Sequence, residues 1–346
     1  MHNSPRPRIL LVKLSSFGDV IHALPTLEAL RAAYPRGHIT WLVESAYAPL
    51  LDGHPALDEV VPVPRVRFRQ NLSSRELPAL ARLMRRLRAQ PFDLVLDLQG
   101  LLKSAIWVAL ARSPRKVGYH GTREGSYLVL TERVAPYDPD AHAVRRYLHL
   151  AHYLGAPPAP PRFRLGFAGQ INPDGLIPQA GARPLAVIHP GARWATKLWP
   201  TSAWARLADW LGREQGLAVA LTGSQGDLEL AEAIIGQAAT PILNLAGRTS
   251  LPELAAVYRQ AVLAVTTDTG PMHLAAALGT RVAAVFGPTA PWRTGPFGEG
   301  HEMVRLGLDC SPCFRRHCPE PRCLTELPLV AVQTACEKIL SYRRVN

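Results

Sequence analysis

The chain is written in a repeating rhythm. Short apolar runs without alternation, the mark of strands buried on both faces of a parallel sheet, are followed by stretches whose apolar positions recur at helical spacing. In the first half the runs are RILLVKL, HITWLVE, EVVPV and FDLVLDLQG. Helices are predicted through VIHALPTLEALRAAYP, near YAPLLDGHP, through ELPALARLMRRLRAQ, which has a basic face, and through KSAIWVALAR. The second half repeats the plan. PLAVIHPG, LAVALTGS, ILNLAGR, LAVTTDTG and VAAVFGPT read as strands, and PTSAWARLADWLGREQ, GDLELAEAIIGQA, SLPELAAVYRQA and PMHLAAALG as helices. Strands alternating with helices imply parallel pairing through crossovers.

The predicted fold class is therefore α/β: two doubly wound, Rossmann-like domains facing a central cleft. In such sheets ligands bind outside the carboxyl ends of the strands. Between the halves, GAPPAPPRFRLGFAGQINPDGLIPQAGARP is rich in proline and glycine and reads as a linker. The first domain is expected over residues 1–170 and the second over 171–328. Residues 329–346 form a last helical pattern, apolar at Leu329, Val332, Cys336 and Leu340.

Composition narrows the classes. At 47% hydrophobic and 19% charged, 346 residues bury large cores, so global disorder is excluded. The net charge of +12 points to an anionic partner: nucleic acid, acidic lipid or a phosphorylated small molecule. Basic runs interleaved with aromatics are almost missing, RVRFRQ being the nearest to one, so nucleic acid is not expected. No segment approaches the roughly 20 apolar residues of a membrane span, and the first apolar run is too short for a signal peptide. A cytoplasmic protein is expected.

Cys310, Cys313, Cys318 and Cys323 follow the pattern C-x2-C-x4-C-x4-C. Four thiolates so close could hold a structural metal, but the spacing is not that of a zinc ribbon. Small buried cysteines in a proline-rich loop are the other reading, and no cofactor is expected.

The candidate chemistry sits at the strand ends. After RILLV come Lys13, Ser15, Ser16, Gly18 and Asp19; LVLDLQG ends in Asp97 and Gln99, then Lys103. The second half supplies His189, Gly191 and Lys197 in HPGARWATKLWP, Asp227 in GSQGD, and Asp268, Thr269, Gly270 and His273 in TDTGPMH. Thr269–Gly270 opens a helix whose free N–H groups and partial positive charge suit a diphosphate, and Lys197 could pair with phosphate as a point charge. Helix capping is the alternative for Asp268, Thr269, Asp19 and Asp227. Neither G-x-G-x-x-G after the first strand nor G-x-x-x-x-G-K-[ST] occurs, against a dinucleotide dehydrogenase and a P-loop NTPase.

KLSSFGDVIHALP, DLQGLLKSA, HPGARWATKLWP and TDTGPMHLAAALGTRVAAVFGPT, in this order, resemble the ADP-heptose:lipopolysaccharide heptosyltransferases of glycosyltransferase family 9, which have the GT-B fold. The resemblance runs from about Arg8 to Lys338. KLSSFGD, DLQGLLKSA, TREG and HAVRRY look most like the heptosyltransferase I branch, whereas HPGARWATK and the Cys-rich segment depart from it, the latter being similar to heptosyltransferase II. The resemblance implies inverting, metal-independent transfer of L-glycero-D-manno-heptose from ADP-heptose to Kdo of the lipopolysaccharide inner core. It implies Asp19 as general base in an acceptor-binding first domain and a donor site of Gly191, Lys197, Asp227, Asp268, Thr269, Gly270 and His273 in the second. The final helix would pack back on the first domain.

The implied acceptor, Kdo-lipid A, is anionic, which gives the positive charge a reason. Candidate contacts are Lys13, Ser15, Gln99, Lys103, Arg123 and His142, together with Arg65, Arg67 and Arg69, which share one side of an extended stretch. The expected setting is peripheral, on the cytoplasmic face of the inner membrane. Two other readings keep the fold: a family 9 transferase with another sugar or acceptor, and a noncatalytic protein that binds a sugar nucleotide or lipopolysaccharide.

Overall fold

The computed structural model describes residues 6–64, 76–167, 176–177 and 183–341. The chain divides into two compact units, Met1–Phe167 and Ala168–Asn346.

The first unit holds β1 (Arg8–Val12), α1 (Phe17–Ala33), β2 (His38–Glu44), β3 (Glu59–Val63), α2 (Glu76–Ala89), β4 (Leu94–Asp97), α3 (Leu102–Leu110), β5 (Lys116–Tyr119), β6 (Glu132–Val134) and α4 (Ala143–Tyr153). Its sheet runs β3-β2-β1-β4-β5-β6, all parallel. RILLV is nearly all buried because helices cover both faces, which is why it carries no alternation. β2 and β3 fall where the apolar runs place them. The helix expected near YAPLLDGHP is a short 3-10 turn, Ser45–Leu50.

The second unit holds β7 (Leu185–His189), α5 (Thr201–Arg213), β8 (Ala218–Leu221), α6 (Leu228–Ile235), β9 (Ile242–Asn244), α7 (Leu251–Gln260), β10 (Ala261–Thr267), α8 (Gly270–Ala277), β11 (Val282–Phe286), the turns α9 (Pro291–Thr294) and α10 (Arg322–Thr325) on either side of β12 (Glu302–Arg305), and α11 (Leu329–Ser341). The order is β12-β11-β10-β7-β8-β9, again parallel. Val332, Ala335, Cys336 and Ile339 of α11 join Trp204, Leu207, Val265 and Val285 in one core, with Leu329 and Leu340 packed against it. Leu329, Val332, Cys336 and Leu340, the apolar positions of the last helical pattern, thus all contribute to this core.

Each sheet starts in its middle. The chain winds outward from β1 to β3 and returns to place β4 on the other side of β1; β7 and β10 repeat this in the second unit. At such a reversal the crossovers leave in opposite directions and open a crevice at the strand ends.

Candidate active site

At the reversal in the first sheet, the loop after β1 meets the loop after β4. Gln99 Oε1 accepts from the backbone N–H groups of Leu14 and Ser15 (3.1 and 3.0 Å). Asp97, buried at the end of β4, accepts from the N–H groups of Gln99 (2.9 Å) and Gly100 (3.2 Å) and from the Ser104 hydroxyl (3.1 Å). Gly100 takes φ +63°, and a side chain there would strike Thr122. Lys103 Nζ donates to Ser15 Oγ and to Glu44 Oε1. Gln99, Ser15 and Lys103 therefore hold the loop that carries Asp19.

Asp19 lies in the first turn of α1, and its two oxygens face different partners. Oδ2 accepts from the Ser16 N–H (3.1 Å) and hydroxyl (2.8 Å), so the capping role is real. Oδ1 accepts from the Tyr147 hydroxyl (3.0 Å) and lies 3.8 Å from Lys13 Nζ. Lys13 is 2% exposed; it donates to Tyr147 Oη (2.7 Å) and to the Leu98 carbonyl (3.3 Å). Burial alone would raise the Asp19 carboxyl, but Lys13, His22 and the Ser16 hydrogen bonds outweigh it and hold the group ionised, well below the usual carboxylate range. Burial pushes the Lys13 ammonium down, and Asp19 and Asp97 push it back up. Burial and then Asp19 raise the Tyr147 phenol well above its ordinary value, so it stays a donor.

The acceptor candidates are only partly gathered here. Lys13, Ser15, Gln99 and Lys103 belong to this cluster. His142 caps α4, its Nδ1 accepting from Val144 N–H (3.2 Å), and its ring stands edge-on to His22 with centroids 5.1 Å apart. Arg123 is exposed at the start of the 3-10 turn Arg123–Val129. Arg65, Arg67 and Arg69 lie outside the described residues. Sequence reasoning missed Tyr147, His22 and Arg146, whose buried Nε has no hydrogen-bond partner among the described residues. The only signal for Tyr147 and Arg146 was their place in HAVRRY.

In the second unit the reversal between β7 and β10 brings the donor candidates together. Lys197 Nζ donates to the Asp268 carboxylate (2.6 Å) and carbonyl (3.1 Å) and stands over the Trp194 ring, 4.7 Å from its centroid. Thr289 Oγ1 donates to the same carboxylate oxygen (2.6 Å). Asp268 thus points away from capping α8, and no side-chain hydrogen bond comes from Thr269 either. The N–H groups opening α8 at Gly270 are left uncapped by side chains, as a diphosphate site requires. His273 is buried one turn further on.

Asp227 does cap: its Oδ2 accepts from Ser224 N–H (2.7 Å) and hydroxyl (2.6 Å). It also crowds Gly191, where a Cβ would sit 2.6 Å from Asp227 Oδ1. The Gly191 carbonyl accepts from Thr267 Oγ1 (2.8 Å), tying the loop after β7 to β10. Buried His189 binds Thr222 Oγ1 through Nδ1 (3.0 Å); burial lowers its pKa to about 4 despite Asp227.

Burial, and then the neighbouring Cys313, Cys310 and Cys318, push the Cys323 thiol up. Among the described residues no group of three or more His, Cys, Asp and Glu could hold a metal ion. Cys310 and Cys313 are exposed, not buried as the sequence reading has them; Cys318 and Cys323 are half-buried, and all are free thiols. The backbone secures the segment instead, the Pro288 carbonyl accepting from Cys313 and Phe314 N–H (3.0 and 2.8 Å). No described helix is long and apolar enough to cross a membrane.

Comparison with known proteins gives the family and the fold. The profile of Glycosyltransferase family 9 (heptosyltransferase) matches residues 80–324. Lipopolysaccharide heptosyltransferase 1 of Pseudomonas aeruginosa is 35% identical over 96% of this chain and 98% of its own. E. coli heptosyltransferase WaaC, solved with ADP, superposes with a TM-score of 0.80 at 29% identity, covering 96% of this chain and 99% of that one. The same enzyme with ADP-2-deoxy-2-fluoro heptose gives 0.78 at 28% identity, with the same coverage. The likeness spans both units, which together form a GT-B fold.

Proposed function

The chain belongs to glycosyltransferase family 9, the heptosyltransferases, and from that premise we propose that it transfers L-glycero-D-manno-heptose from ADP-heptose to Kdo of the lipopolysaccharide inner core, with inversion and without a metal. The observation that carries the reading is Asp19: a carboxylate at the sheet reversal, kept ionised by Lys13, with Oδ1 turned away from its capping partner. An acceptor hydroxyl becomes strongly acidic only as its bond to the anomeric carbon forms, so a carboxylate of low basicity can take the proton. The bond from the anomeric carbon to the ADP phosphate breaks as the new one forms. The leaving diphosphate is already anionic and needs cations and N–H donors more than a proton. Lys197 and the opening of α8 supply those.

The relatives' names favour a heptosyltransferase I acceptor, and the solved WaaC complexes carry ADP and an ADP-heptose analogue. Kdo bears a carboxylate, for which Lys103 and Arg146 are the cations beside the Asp19 loop. Membrane contact at the cytoplasmic face of the inner membrane follows from a lipid-borne acceptor.

The test is release of ADP from ADP-heptose on adding Kdo2-lipid A, repeated after dialysis against a chelator. Acceptor-dependent release that survives the chelator is expected. Release with another sugar nucleotide only, or ADP-heptose binding without turnover, would overturn the assignment.

A further inference from the structure

A helix on a globular surface needs one apolar stripe toward the core. In α2 that stripe is Leu83 and Leu87, both buried. The helix nevertheless carries a second apolar pair outward, Leu77 and Met84, 52% and 36% exposed. Neighbouring α3 does the same with Leu102 and Ile106, 52% and 38% exposed. These four are among the few exposed large apolar residues of the described chain, and they lie on two helices that pack together.

Between the helices opens a cavity of about 190 Å³, walled by Val63, Leu80, Met84, Ile106, Trp107 and Leu110. Among the described residues its charged lining is Glu44 and Lys103, which pair with each other (2.9 Å). Around the apolar face α2 presents Arg82, Arg85 and Arg88, all exposed, and its sequence after Glu76 has no acidic residue. An apolar surface rimmed by arginines complements one kind of partner: a sheet of hydrocarbon under a layer of phosphates.

We infer that the α2–α3 face seats this protein on an anionic bilayer, with the cavity taking part of one lipid acyl chain and Arg82, Arg85 and Arg88 lying among the headgroup phosphates. The inference rests on the proposed function only for its purpose, delivery of a membrane-borne acceptor to Asp19. The docking itself requires no transfer. Lys103 joins the two places, since it stands at the cavity mouth and also donates to Ser15.

The experiment is flotation of the full chain with phosphatidylcholine vesicles, with and without phosphatidylglycerol. The protein should float with the anionic vesicles. Met84→Glu with Ile106→Glu should weaken binding at least about tenfold, since each substitution withdraws several methylene equivalents from hydrocarbon. Met84→Ser with Ile106→Ser serves where the charged pair fails to fold, and should weaken binding in the same direction. Arg82→Glu with Arg85→Glu should weaken it too, with a shallower salt dependence left behind. ADP affinity by calorimetry should stay unchanged in every variant. Loss of ADP release in the parent protein with vesicle binding intact would count against the proposed function and leave this inference standing. Equal binding by parent and apolar variants, equal binding to neutral and anionic vesicles, or a change in sedimentation mass in place of vesicle binding would overturn it. The last result would make the face a contact between two copies of the chain.

Discussion

Lys13→Met probes the Asp19 cluster most sharply, because it removes the charge and nearly keeps the volume. Lys13 Nζ and Asp19 Oδ1 are 3.8 Å apart. At an effective dielectric of about 20, unit charges at that distance attract by about 4 kcal/mol. A third of the Asp19 side chain, 35%, reaches solvent. Halving the attraction for screening leaves about 2 kcal/mol, or about 1.5 pKa units. Burial, which already works to raise the carboxyl, then meets His22, the Ser16 hydrogen bonds and the Tyr147 hydroxyl. In the variant Asp19 should titrate higher, so that the acid limb of kcat/KM for heptosyl transfer moves to higher pH than in the parent enzyme. The assay is the initial rate of ADP release against pH, with circular dichroism at each pH to exclude unfolding. If the variant's profile keeps the parent's shape and only the acceptor KM rises, Lys13 is an acceptor contact and does not hold the base ionised.

Lys197→Ala takes one side-chain donor from the buried Asp268 carboxylate and leaves it the Thr289 hydroxyl. Breaking a buried pair costs about 3 kcal/mol at the low end, so calorimetry should show a clear fall in Tm together with weaker ADP binding; a variant with unchanged ADP affinity would move the diphosphate elsewhere. Gly191→Ala places a Cβ 2.6 Å from Asp227 Oδ1. Overpacking of about 1–2 kcal/mol should displace Asp227 and weaken ADP about tenfold, as read by titration calorimetry; unchanged affinity would remove Asp227 from the nucleotide site. Burial lowers the pKa of His54 to about 4 from 6.5. The unfolded chain therefore takes up a proton that the folded one refuses as pH falls from about 6.5 to about 4, and stability drops over that window by up to about 3 kcal/mol. Urea melts of His54→Gln should lose less stability there; an identical pH dependence would show that His54 does not titrate this way.

Much of this was legible in the chain because the strands are short, apolar and followed at once by polar loops. HITWLVE and EVVPV are β2 and β3 to the residue. The last two strands of the first sheet were not legible: β5 (KVGY) is only four residues with a lysine and a glycine, and β6 (ERV) three with two charges. Such strands are set by the neighbour they pair with, not by their own pattern. In the same way, residues at strand ends were found while their partners were not. Gln99 and Lys197 stand beside obvious motifs, but Tyr147 reaches Asp19 across 128 residues from a helix whose periodicity says nothing about its tip. The cysteines have a suggestive spacing, yet among the described residues no group of three or more His, Cys, Asp and Glu could hold a metal ion. Thr269 shows why capping signals need the structure: Asp19 and Asp227 do cap, Thr269 does not, and all three read alike in sequence.

In the proposed reaction Asp19 takes the acceptor proton. Its most direct test is single-turnover transfer from ADP-heptose to Kdo2-lipid A by Asp19→Asn, an amide that can still accept from Ser16 but cannot take the proton. ADP affinity should stay within about twofold of the parent, and the transfer rate should fall by about 10²–10⁴-fold. Transfer at the parent rate with ADP binding intact would contradict it.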